Sequence, residues 1–513
     1  MSYLSNYNYS HILKPVDMKN IRSILSRLTV FSFLVLFSLI GIAQDWQVNW
    51  ENPISVSTDE FDNNRPKLSI NASNEPVIIW GKDNGRILYT SKLSGDTFSP
   101  PEALLDDDFD IFTADWAGPE IGSNGDHVHV VFKRYPENEF GVYSVISTDG
   151  GITWSDTVRV DNVPIGDEQT RFPYVVVDED GNPAVSMMTF VGNYLDPAYE
   201  VTTSTDGGNS YNELMNASTE LFEGEACDCC TGKLVFDGSR LIQLYRNNDE
   251  NIREIRATVS EDWGQSFSQG LIVDGSETFS NVCFSSGPSG AIIMDDLLSV
   301  FRVNTDLGPR VGMSSFNLEN QIMDVEDHIA PNAQPSVGQT NPAIASGDGF
   351  VGVIWQEETT NDDNIHFVFS SNGAQGILDG TIEVLNFSLP GKQINPDIKY
   401  QDGVFHVVWQ DKATGLVMYR KGSVLEATGV EEMDVVFSVF PNPTSSSVQV
   451  AFDGRVAAYY TVSDLAGKVI LRRANTASTI NIDLTQYPSG TYILELYEED
   501  GSRLGQSQRI QRH

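Results

Sequence analysis

Two sets of side chains in this sequence could do chemistry. The first is a sulfur cluster, Cys227-Asp228-Cys229-Cys230, with a fourth cysteine at Cys283. An even count allows two disulfides in any of three connectivities. The same four thiols could instead hold a soft metal such as copper or zinc. The second set is Arg65, Arg134, Arg171, Arg246 and Arg302. They stand out because the chain has only 32 basic residues against 71 acidic ones. A guanidinium fork captures a carboxylate in two parallel bonds, which suits recognition of an acidic ligand. Asp115 and Glu357 are carboxylates placed to do acid–base work beside them.

Something must bring these residues together, and a repeat supplies it. Pro66, Pro119, Pro173, Pro288, Pro342 and Pro396 are spaced 53, 54, 115, 54 and 54 residues apart. The long gap is two periods, with Gly232 standing in for the missing proline. Thirteen residues after the opening position stand Phe132, Tyr245, Phe301, Trp355 and Trp409, with Trp80 one residue later. The third repeat is looser, its Phe190 arriving late. The segments between alternate apolar and polar or run apolar, as in Phe405-His406-Val407-Val408-Trp409, and Asp-Gly turns separate them.

Units of this length with four short strands each are blades, so the expected fold is an all-β β-propeller over 44–424. Seven registers favour seven blades; six remain if one unit is not a true blade. The seventh unit ends near Val424 one strand short. Asn52 to Ser57 could supply the missing strand and close the ring.

Three units carry one further pattern. It reads Ser147-Thr148-Asp149-Gly150-Gly151-Ile152-Thr153-Trp154, then Ser204-Thr205-Asp206-Gly207-Gly208-Asn209-Ser210-Tyr211, then Ser260-Glu261-Asp262-Trp263-Gly264-Gln265-Ser266-Phe267. The aspartates are 57 and 56 residues apart, matching the blade period. Ser91 to Phe98 is a degraded fourth copy. The pattern resembles the Asp-box, or BNR repeat, of sialidase-like propellers. Its physics is local: Asp caps backbone N–H groups, Gly takes positive φ, and the aromatic packs beneath the hairpin. Asp149, Gly151, Trp154, Asp206, Gly208, Asp262, Gly264 and Phe267 are therefore structural residues.

In a propeller, loops entering the innermost strand and loops leaving the second strand share one mouth. The register places Asp62, Arg65, Asp115, Trp116, Glu168, Arg171, Glu225, Asp228, Asn341 and Asn395 before inner strands. It places Lys82, Asp83, Lys133, Arg134, Arg246, Arg302, Glu357 and Asp411 after second strands. The sialidase resemblance implies an arginine cluster on a sugar carboxylate, a Tyr nucleophile with a Glu partner, and an Asp acid/base. Arg65, Arg171, Arg246, Arg302, Asp115 and Glu357 are the catalytic candidates it suggests, with Tyr135 and Tyr245 as nucleophiles on register. The pattern departs from the family in two ways. Arg171-Phe172-Pro173 has the family's Arg-x-Pro form, but in the third unit, and sialidases have six blades.

Cys227 and Cys283 both fall five residues before their blade's opening position. The pair Cys-x-Cys-Cys and Cys-x-x-x-Gly-Pro resembles a subset of secreted Asp-box proteins. It implies disulfides stapling two neighbouring blades, or a thiolate-bound metal at the mouth.

Export is read at both ends. Lys19, Arg22 and Arg27 precede an apolar run from Leu28 to Ile40, and Gly41-Ile42-Ala43 ends it with small residues before Gln44. That is a signal sequence, with Met18 the expected start. After a linker over 425–434, Phe440-Pro441-Asn442-Pro443 opens a domain over 435–513. With the Gly467-Lys468 turn and the strand Pro488-Ser489-Gly490-Thr491-Tyr492, it resembles the type IX secretion C-terminal sorting domain of Bacteroidetes. By pattern it is a small Ig-like β-sandwich.

The implied location is secreted or outer-membrane surface, and the implied partner is the type IX machinery. A formal charge of -39 argues against nucleic acid and anionic membranes. Acidic runs such as Asp106 to Asp110 are solvated faces or sites for a divalent cation such as Ca2+. No cofactor is required. The expected ligand is an extracellular glycan or a protein, and no spanning segment is expected in the mature chain.

Overall fold

The computed structural model describes residues 46–513 except 59–61, 83–85, 107, 164–167, 219–223, 269, 277–278, 331–336, 360–361, 387–390, 427–436, 453–456, 466–467, 476–478, 498–503 and 505–506. The expected signal segment, Asp83, Gly467 and most of the expected linker lie outside the described residues. The chain divides into two compact units, Met1–Glu426 and Ala427–His513.

In the first unit the described residues form seven antiparallel sheets. Their innermost strands are Asn63–Ile70, Glu120–Asn124, Glu168–Val177, Lys233–Phe236, Ser289–Ile293, Gly338–Gly347 and Gln393–Gln401. Each packs against the next, and the seventh packs back on the first, so the ring closes with seven blades. Every register of the repeat is a blade.

The apolar residues explain why. Each pair of neighbouring blades shares at least one buried cluster. Val77, Ile79, Val128, Val130 and Phe132 fill the space between blades 1 and 2, for example. Val408, Val417, Tyr419, Leu68 and Trp80 join blade 7 to blade 1. The aromatics that end the second strands, Trp80, Phe132, Tyr245, Phe301, Trp355 and Trp409, are all buried, as is Phe190.

Ring closure differs in detail from the expectation over 52–57. The outer strand of blade 7 is Trp46–Trp50, which pairs with Leu416–Glu426 from Trp46 opposite Glu426 to Trp50 opposite Gly422. Ile54–Ser55 then adds a short second pairing, opposite Tyr419 and Met418. Trp46, Val48 and Trp50 alternate with polar residues and set one face on blades 6 and 7. Pro53 cannot donate to a ladder, so the pairing breaks there.

The three box turns share one set of bonds. Ser147 Oγ, Ser204 Oγ and Ser260 Oγ each donate to the box aspartate at 2.8 Å. Asp149, Asp206 and Asp262 each accept from a backbone N–H four residues on, at 2.9 Å. The same serines accept from the N–H groups of Gly151, Gly208 and Gly264. Gly151 has φ +87°, and a Cβ there would stand 2.9 Å from Val77 Cγ2 of the preceding blade. The glycine is thus needed twice, for its dihedral and for the close approach. Trp154 packs into the cluster between blades 1 and 2, and Phe267 into that between blades 3 and 4.

The second unit has two sheets. One holds Phe437–Phe440, Ser447–Phe452 and Thr479–Asp483, the other Val469–Ala474, Tyr459–Asp464, Gly490–Tyr497 and Gln508–Arg512. Val450, Ile482, Val462 and Leu494 are buried together in its core. That is a sandwich. Among the described residues no helix is long and apolar enough to cross a membrane.

Candidate functional site at the mouth of the propeller

The opening prolines build the site. Proline has no N–H to give the ladder, so the innermost strands bulge where it falls. Registers shift between Asn64 and Lys67, Arg171 and Tyr174, Thr340 and Ala343, and Ile394 and Asp397. The residue before the proline takes positive φ in each: Arg65 45°, Phe172 53°, Asn341 49° and Asn395 54°. Helical-type dihedrals before proline are disfavoured, and such strain persists where surrounding structure imposes it. The bulges turn Arg65, Asn341 and Asn395 into the lining of one axial cavity of about 60 Å³.

All seven blades contribute to that lining. The residue after each opening position forms a ring: Lys67, Glu120, Tyr174, Lys233, Ser289 and Ala343 in the lining, with Asp397 beside Lys67. Arg65 Nη2 lies 2.8 Å from Glu120 Oε1. Lys67 Nζ lies 3.7 Å from both Glu120 and Asp397. Burial lowers the Lys67 ammonium, and the two carboxylates oppose that shift. Burial would raise Asp397, but Lys67 and Lys399 hold it below its usual value. Lys233 Nζ sits 4.3 Å over the Tyr174 ring. Two donors in the cavity wall, Arg65 Nε and Asn395 Nδ2, are buried with no protein partner.

The other arginines have different work. Arg246 is fully buried and donates to the carbonyls of Arg253 at 2.9 Å and Arg302 at 2.7 Å. Arg302 donates to the Phe284 carbonyl at 2.9 Å. Both guanidiniums flank the Phe284 ring. Arg171 packs among Trp116, Phe172 and Tyr194 and reaches the Asp228 carbonyl at 3.5 Å. Arg134 is held between Phe109 and Phe140. Of the four arginines proposed for catalysis, only Arg65 lines the cavity. Trp116 connects the two groups, lining the cavity and meeting Arg171 5.3 Å from its ring.

The carboxylate candidates are also apart. Asp115 is exposed and pairs with Lys412 at 2.9 Å. Glu357 lies 3.5 Å from His366. Its neighbour Glu358 is the one whose charge acts on Arg302; desolvation raises its pKa and Arg302 opposes that. Tyr245 is buried in an apolar cluster, and Tyr135 stacks on Arg86. Neither lines the cavity, whereas Tyr174 does. Lys67, Glu120, Tyr174 and Lys233 were missed. Their signal was available, since each directly follows an opening Pro or Gly.

The cysteines sit in the loops entering blades 4 and 5. Cys229 and Cys283 are joined. Cys227 and Cys230 are buried free thiols. This is one staple rather than two. Cys227 Sγ lies 3.3 Å from Cys230 Sγ and accepts from Arg253 Nη1 at 2.8 Å. The hydrogen bond from Cys227, with Arg246 and Arg253, lowers Cys230 to about 6, while the same bond and burial raise Cys227. Arg246 and Arg253 beside Cys230 favour its thiolate form.

Comparison with known proteins identifies the C-terminal unit. Residues 438–506 match the family model of the secretion system C-terminal sorting domain. The chain is accordingly one secreted to the cell surface or the extracellular space. No curated protein matches the chain. Solved structures similar to it include the Trypanosoma rangeli sialidase in complex with sialic acid, at 10% identity and TM-score 0.40, covering 91% of this chain and 89% of that one. A Penicillium chrysogenum alpha-L-arabinanase complexed with arabinobiose matches at 9% identity and TM-score 0.39, covering 74% and 99%. A GH93 alpha-L-arabinofuranosidase of Fusarium graminearum matches at 12% identity and TM-score 0.39, covering 75% and 99%. The blade count rests on the strand pairing, not on these likenesses.

Proposed function

We propose that this secreted or surface-held propeller recognises an extracellular glycan carrying an acidic sugar, at the axial mouth. The observation that carries the reading is the excess of cations in a wall built by all seven blades, where Arg65, Lys67 and Lys233 stand against Glu120, with Asp397 beside Lys67. A concave wall with surplus positive charge is suited to a ligand that carries a carboxylate. The Trp116 ring offers a face for a sugar ring, and Arg65 a cation for its carboxylate.

Binding is favoured over turnover because of how the carboxylates are held. Glu120 is engaged by Arg65 and Lys67, so its carboxylate is taken up by two cations of the wall instead of standing free for acid–base work. The three Asp-box turns are read as scaffold, since the carboxylates of Asp149, Asp206 and Asp262 accept from groups of their own turns. The test is a screen of the mature chain on acidic and neutral glycans, scored for retention and for released sugar. Retention of uronic or sialic acid glycans without product supports the reading. Release of sugar would replace it with a sialidase-like hydrolase, and retention of neither kind would remove the glycan.

A further inference from the structure

The cysteine cluster holds a geometry that a simple staple does not need. Cys227 Sγ stands 3.3 Å from Cys230 Sγ on one side and 3.3 Å from Cys229 Sγ on the other. Cys229 is already bonded to Cys283. Cys227 and Cys230 are buried, while Cys229 and Cys283 are half-buried. One thiol therefore touches both a buried thiol and a disulfide that solvent reaches. The leaving sulfur is provided for as well, since the Ser285 N–H donates to Cys283 Sγ at 3.2 Å.

We propose that these four cysteines form a thiol–disulfide relay, in which an external small-molecule or protein disulfide oxidises the buried Cys227–Cys230 pair through the outer Cys229–Cys283 bond. Cys227 passes its proton to Cys230 and attacks Cys229 Sγ. A Cys227–Cys229 bond forms, the Cys229–Cys283 bond breaks, and Cys283 leaves as a thiolate. That thiolate attacks the external disulfide, forming a mixed disulfide and releasing one external thiolate. Cys230 then attacks Cys227 Sγ, closing Cys227–Cys230, and its proton passes to the departing Cys229. Cys229 displaces the second external thiol from Cys283 and restores the outer bond. A thiol and a thiolate of the protein are oxidised, one external disulfide is reduced to one thiolate and one thiol, and the single proton of the pair leaves on that thiol.

Three guanidiniums support the exchange. Arg253 donates to Cys227 Sγ, and Arg246 and Arg302 flank Phe284, which packs on Cys227 and Cys230. Positive charge beside a thiol favours the thiolate, the species that attacks. The relay does not depend on the ligand reading at the mouth.

The test starts from the full chain, reduced and desalted without oxygen, then mixed with oxidised glutathione and trapped by alkylation at intervals. Peptide mass mapping should find Cys229–Cys283 first and Cys227–Cys230 after it. In a Cys229→Ser, Cys283→Ser double variant the inner pair should close at least about tenfold more slowly, as direct access is lost. Closure at the parental rate would overturn the relay. Cys230→Ser keeps the outer bond, so it remains informative if the double variant does not fold. It should collect one glutathione on Cys283 with Cys227 bonded to Cys229. Glutathione on Cys227, or on no cysteine, would overturn the proposal.

Discussion

Arg246 donates from Nη2 to the main-chain carbonyl of Arg302 at 2.7 Å, and this bond ties blade 4 to blade 5. Its other arm holds the Arg253 carbonyl at 2.9 Å. A guanidinium in that position is a stitch between strands. Arg246→Ala would strip one buried and one part-buried carbonyl of this partner, at a cost of about 2–3 kcal/mol. Urea denaturation should show the midpoint falling, with ligand retention unchanged in whatever fraction stays folded.

Arg65 behaves in the opposite way. Arg65→Lys keeps a positive charge near Glu120 but removes the planar fork. Retention of an acidic glycan should weaken about tenfold or more, with a much smaller change in stability. Trp116→Ala should weaken neutral and acidic glycans alike, because it removes a stacking face rather than a charge. A glycan array with both variants separates the two effects. Equal retention by Arg65→Lys and the parent would place the acidic group elsewhere.

Gly151 is constrained by φ +87° and by Val77 of the preceding blade. Gly151→Ala adds a methyl into that contact and strains the backbone, at about 1–3 kcal/mol. Gly95, with φ +63° and open space around a Cβ, should cost less. Thermal unfolding of the two variants should rank them in that order.

The box aspartates make acid stability predictable. Hydrogen bonds from Thr153, and then from Ser147 and Ile152, hold Asp149 down at about 2. Asp206 and Asp262 are lowered by Ser210 and Ser266 in the same way. A carboxylate lowered on folding contributes stability that is complete above its unfolded pKa, about 4. That contribution fades as pH falls towards 2. Asp149→Asn should flatten the loss between pH 4 and 2 and leave the curve at pH 6 to 8 parallel to the parent's. A parallel curve down to pH 2 would mean the box does not titrate with folding.

Much of this was legible in the residues. Opening prolines and strand-ending aromatics recur at blade spacing because each blade needs the same bulge and the same buried ring. The arginines were harder. A mouth register says where a side chain starts, not whether it turns to solvent or to a carbonyl, and Arg246 turned inward. Glu357 and Glu358 show a second limit. Adjacent residues on a strand face opposite ways, so an error of one residue exchanges a partner of His366 for one of Arg302. The cysteine pairing was open because three connectivities fit one spacing.

The pairing of Trp46–Trp50 with Leu416–Glu426 has a kinetic consequence. Most strands of the propeller pair with a neighbour a few residues away and can form as soon as both exist. This pairing joins segments some 370 residues apart, and closing so long a loop is slow. The ring should therefore pass through a state with six blades formed and the seventh lacking its outer strand. That intermediate exposes an unpaired sheet edge, the form most prone to join another chain. Removing residues 46–57 would make it permanent, and self-association during refolding would be its measure.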